Sequence, residues 1–193
     1  MNFFKKSTHE IRTPFELELL EKAQNMQQTV PPEPWIYEVI VPASGVTACG
    51  WDEDENLVLI SGSGYSITQA ITGNRIHRDR DSSLTDEGMS KDYLKFTIPL
   101  TGLEIGIFGF QAGDGSFGTD DGWRLDVIYP WWPRASVVLD NVFRQGYRYL
   151  KDAVMIDLKR LDGPVKCGFS PSGKHFVVMG SGGALVYSRN LAA

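Results

Sequence analysis

The chain has 193 residues, 42% of them hydrophobic and 22% charged, with a formal net charge of −5. That length supports one good core, and the composition is that of an ordinary soluble globular protein. The acidic balance argues against nucleic acid as a partner, because phosphate binding needs a basic face, and it is compatible with a basic protein partner.

The basic start MNFFKK leads into no apolar run, so no signal peptide is expected. No stretch approaches the roughly 20 apolar residues of a membrane span. A cytoplasmic protein without membrane contact is the simplest expectation. Residues 13–28 read as a helix. TPFE forms a capping box, in which Thr13 accepts from the Glu16 amide and Glu16 reaches back. Pro14 sits at the first helical position, where its missing N–H costs nothing. Phe15, Leu19, Ala23 and Met26 share one face, expected to dock on the main body. TVPPEPW ends the helix. Residues 1–34 are therefore read as a capped helix and proline-rich linker, and 35–193 as a single β domain.

From Trp35 the texture is aromatic and β-branched, beginning with WIYEVIV. Short apolar runs follow between turn signals: LVLIS, SITQAI, LKFTI, EIGIFGF, WRLDVIY, SVVL, AVMIDL, HFVVM and ALVYS. Many short strands, glycine turns and little helix point to a mainly β body. NVFRQGYRYLKD (141–152) reads either as a short helix or as a strand with a long turn.

Two stretches repeat. GWDEDENLVLISGSGYSITQ (50–69) aligns without a gap on GFSPSGKHFVVMGSGGALVY (168–187). Cys49 meets Cys167, Trp51 meets Phe169, and Gly62-Ser63-Gly64 meets Gly180-Ser181-Gly182. The expectation is a pair of related hairpins near 46–69 and 164–187, with polar turns, buried strands and glycines at tight turns. The pattern over 46–79 and 164–189 resembles a β-propeller blade of the WD-repeat or quinoprotein-like kind. That resemblance implies a small propeller-like structure in which strand 35–42 completes the last blade. A two-hairpin-repeat β structure is the alternative, each with one N-terminal helix. Both cysteines are expected to be unpaired core residues.

No familiar catalytic motif stands out. His9, His77 and His175 are scattered, and no zinc spacing, nucleophile elbow or Walker loop is present. The turn at Asp52, Asp54 and Asn56 begins like a calcium loop, but Leu57 stands where glycine must turn the chain; DGSFGTDDG fails in the same way. No metal or cofactor is expected. HRDRD (77–81) offers His77, Asp79 and Asp81 as an alternative, hydrolase-like site, against the simpler reading of a charged edge.

The most unusual stretch is DDGWRLDVIYPWWPRASVVL (120–139), with Trp123, Trp131 and Trp132 within ten residues and prolines flanking the last pair. Neighbouring strand residues point to opposite faces, so one of Trp131 and Trp132 is expected inward and one outward. The stretch is similar in texture to immunity proteins of contact-dependent and polymorphic toxin systems. That likeness implies a non-enzymatic bacterial protein that neutralises a cognate, basic toxin domain by binding it. The expected partner-binding residues are Asp114, Asp120, Asp121, Trp123, Trp131 and Trp132. A scaffold or sensor module binding a small ligand is a further alternative.

Overall fold

The computed structural model describes residues 12–144, 146–159, 161 and 163–190. Helix α1 (Pro14–Asn25) leads into β1 (Gln28–Thr29), β2 (Tyr37–Pro42), β3 (Val46–Trp51), β4 (Leu57–Ser61), β5 (Gly64–Thr68) and β6 (Arg75–Arg78). A short helix α2 (Ser82–Gly88) precedes β7 (Lys95–Thr97), β8 (Glu104–Gly109), β9 (Trp123–Trp131), β10 (Arg134–Asn141) and β11 (Val154–Ile156). The chain finishes with β12 (Lys166–Phe169), β13 (His175–Gly180) and β14 (Gly183–Ser188). The protein is thus mainly β. It carries a second, short helix besides the expected one, and after Asn141 ends β10 the described residues 142–144 and 146–152 form turns and bends, with neither helix nor strand.

Three sheets form, in the orders β1-β11-β10-β9, β12-β13-β14-β2 and β6-β5-β4-β3-β8-β7. The second is the middle layer of a stack. Phe176 and Val178 of β13, with Leu185 and Tyr187 of β14, pack on the β9–β10 sheet through Leu125, Val137 and Leu139. The alternate residues Val177, Met179, Ala184 and Val186 pack on Cys49, Leu57 and Leu59 of the six-stranded sheet. A strand covered on both faces has no polar side to its alternation, which is why FVVM and ALVY are unbroken apolar runs. Ala23 of α1 and Met26, which caps it, cover the outer face of the β9–β10 sheet beside Val138 and Met155. On the far face of the six-stranded sheet, Phe96 of β7 and the following Ile98 pack with Val58, Ile60 and Ile107.

An early strand and the last described strand meet in the middle layer. Strand β2 pairs antiparallel with β14 from Tyr37↔Ser188 to Gly183↔Pro42, and Asn190 N–H donates to Pro34 O at 2.9 Å. The segment read as a linker also joins the body, because β1 pairs in parallel with β11.

The repeated stretches both form three-stranded meanders with the same pairings. Trp51↔Leu57 and Cys49↔Leu59 in one correspond to Phe169↔Phe176 and Cys167↔Val178 in the other. The first strands are 118 positions apart, but Leu57 and Phe176 are 119 apart. The second copy has one more residue in its first turn, so the gapless alignment slips there. Gly64 corresponds to Gly183, not Gly182. Both have positive φ (122° and 137°), and a Cβ on either would lie 2.2 Å from Asp79 O or 2.3 Å from Val41 O. Only glycine fits a backbone crossed so closely.

Candidate functional site

The residues singled out in 114–132 fall into three environments. Trp123 opens β9 inside the core, edge-on to Trp35 with ring centroids 5.8 Å apart. Its side chain offers no surface to a partner, contrary to expectation. Asp114 ties a loop to the middle sheet: one carboxylate oxygen is 3.1 Å from Lys166 Nζ, and the other accepts from Cys167 N–H at 3.3 Å. Trp131 and Trp132 both face outward, at 41% and 79% exposure, rather than one in and one out.

Their orientation follows from the hairpin end. Trp131 pairs with Arg134 across a two-residue turn, Trp132-Pro133, whose peptide bond is cis. A turn residue is not bound by strand alternation, so Trp132 stands free at the tip, and its ring lies 5.3 Å from that of exposed Tyr129. Pro130 beneath them is buried, and its carbonyl accepts from Gln24 Nε2 of α1 at 2.8 Å. The tip is therefore anchored by the helix.

Asp120 and Asp121 lie at the other end of β9, about 26 Å away for an eight-residue step at roughly 3.3 Å per residue. The face expected from the sequence is two separate surfaces. Asp121 makes a bidentate pair with Arg189, at 2.7 and 2.9 Å, and accepts from Thr119 Oγ1 at 2.6 Å. The Arg189 bonds, with the Thr119 hydroxyl, hold its carboxyl down at a pKa of about 2, against a smaller opposing effect of burial. The Arg189 guanidinium also lies 4.5 Å over the Trp35 ring. Asp120 and Asp121 line a polar cleft of about 430 Å³ together with Thr119, Ser170, Ser172 and Arg189. Sequence reasoning missed the last three. They come from the β12–β13 turn and the end of β14, and only the three-dimensional fold brings them to the 116–121 loop.

A second constellation was also missed. His175 Nδ1 is 2.7 Å from Ser188 Oγ, while Glu55 Oε2 lies 3.8 Å from His175 Nε2. Serine, histidine and carboxylate in line suggest acyl-transfer chemistry. Ser188 is fully buried, however, and no substrate carbonyl reaches its hydroxyl.

The alternative trio does not converge. Asp81 caps α2, accepting from Ser83 N–H at 2.9 Å, and Asp79 accepts from Asp81 N–H at 2.8 Å. His77 instead packs on the Tyr65 ring at 5.3 Å. Asp52 closes its own turn through Asp54 N–H and Asn56 N–H. Among the described residues no three ligating side chains stand together for a metal ion, and no helix is long and apolar enough to cross a membrane. Both cysteines are free and buried. The chain matches no family model, no curated protein and no solved structure.

Proposed function

We propose that the protein acts by binding another protein, and that the β9–β10 tip anchors the complex. The observation that carries this reading is the exposure of Tyr129, Trp131 and Trp132 together at one braced hairpin end, beside exposed Arg134. Tryptophan, tyrosine and arginine dominate the energy of protein interfaces, and a braced tip has little motion left to lose on binding. An isolated exposed aromatic means little, whereas a cluster marks a contact surface.

The partner we propose is a toxin domain, with this chain as its immunity protein. The likeness of the 120–139 stretch supports that class of partner. The polar cleft at the far end of β9, where Asp120 stands beside the Asp121–Arg189 pair, would meet a basic part of a large partner. An open, propeller-like arrangement is the architecture we favour. Its support is the matched pair of meanders, the middle sheet packed between two others, and the completion of that sheet by β2.

The test uses the wild-type chain and a Trp131→Ala/Trp132→Ala variant as matched baits in an extract of the native host. Both are first shown to be folded by circular dichroism. We expect one protein to be held stoichiometrically by the wild type and bound roughly thirtyfold more weakly by the variant, about 2 kcal/mol. Equal affinity for both baits, or no stoichiometric protein, removes the reading.

A further inference from the structure

Glu55 lies in the turn between β3 and β4, at a φ of 57°, and reaches across to the turn between β12 and β13. Its carboxylate accepts from Ser172 N–H at 2.6 Å and from the Ser172 hydroxyl at 2.5 Å. The oxygen that takes the hydroxyl, Oε2, is also the one 3.8 Å from His175 Nε2, beyond hydrogen-bond reach. The imidazole is buried, stacked on Trp51 at a centroid distance of 5.8 Å and held by Ser188 at its other nitrogen. One carboxylate from the six-stranded sheet thus stands between two groups of the middle sheet, a neutral serine that it holds and a histidine that it does not.

We propose that Glu55 is a proton-operated clasp, which grips the Ser172 turn while His175 is neutral and moves to Nε2–H when His175 takes up a proton. The proton comes from solvent, and only hydrogen bonds are exchanged. A charge-assisted bond in a sheltered place is stronger than one to a neutral hydroxyl. Besides Glu55, Lys174 is the charged group that acts on the ring, and it opposes protonation; Trp51 and Ser188 are uncharged. Burial is the largest effect and pulls the histidine below its ordinary value of 6.5, so the exchange falls on the acid side of that pH. Ser172 lines the polar cleft, and its release alters the cleft wall. The aromatic tip that anchors the proposed complex plays no part in this, so the clasp does not depend on that tip.

Nuclear magnetic resonance of the full chain across pH 8 to 5 tests the clasp. The Ser172 amide proton is expected to move upfield with the same midpoint as the His175 ring proton, below 6.5. In His175→Gln, which cannot take a proton, the amide should stay flat across that window. A Ser172 amide that ignores the ring midpoint, or that still shifts in the glutamine variant, overturns the proposal. If the variant does not fold, comparison of the two wild-type midpoints decides the matter alone.

Discussion

Asp121 was legible in the sequence as an acidic loop residue, but its partner was not. Arg189 lies 68 positions away and follows the last strand, where no local pattern marks it. The pair has a pH signature. The folded carboxyl titrates at about 2 against an ordinary 3.8. A depressed value means that the pair's stabilisation is fully present above 3.8 and is lost as pH falls through 2. Because the Asp121 side chain is 53% exposed, solvent screening reduces the contribution to about 1 kcal/mol. Asp121→Asn should therefore be less stable than the wild type by that amount at pH 7, and the gap should close between pH 4 and pH 2. Urea denaturation at a series of pH values measures both. A constant gap would assign the loss to something other than the ion pair. The repeated Cys-Gly pairs, by contrast, show in the sequence and now have a reason. A Cβ on Gly50 would lie 2.5 Å from Gly106 O, and one on Gly168 would lie 2.7 Å from Gly115 Cα. In each copy the first strand is crossed closely by a neighbouring backbone, and only glycine leaves the room.

At the scale of elements, α1 shows how local signals survive while docking does not. The capping box forms as read, with Thr13 N–H donating to Glu16 Oε2 at 2.6 Å and Glu16 N–H to Thr13 Oγ1 at 3.3 Å. The apolar stripe does not dock along its length: Ala23 and Met26 reach the sheet, whereas Phe15 remains 64% exposed. Periodicity names a face but not how much of it the body covers, because the covering strands come from 123–156. Phe15→Ser should thus change stability by no more than about 0.5 kcal/mol, the usual range for an uncoupled surface site. Ala23→Asp should cost more than about 2 kcal/mol by burying a charge. Thermal denaturation of both variants tests this, and a large loss from Phe15→Ser would show that the helix start is packed after all. Helix α2 was hidden for a different reason. Its N-cap, Asp81, sits in the charged run HRDRD, and its seven residues are too few to show a period. The extra residue in the second meander's turn was invisible because a gapless match can slip by one without losing its glycines.

For the whole molecule, unbroken apolar runs marked the buried strands, but the order of layers depended on long-range pairing that no window of sequence contains. Burial on both faces of β13 and β14 makes the middle sheet the part that cannot open without separating its neighbours. The outer covers can open alone: α1 buries only its last turn, and residues 142–144 and 146–152 are turns and bends. Hydrogen exchange should follow this order. Amides paired between β13 and β14 should exchange only through global unfolding, with a free energy equal to that from denaturant titration. Those of α1 and α2 should exchange through local opening, faster and with little dependence on denaturant. Strand β2 supplies the sharper test, since it is the edge that joins an early segment to the last described strand. If it is part of the middle sheet's cooperative unit, its amides bonded to β14 should share the denaturant dependence of β13. If they exchange like α1 instead, β2 is a detachable flap, and the middle sheet is held from its two faces rather than closed through its edge.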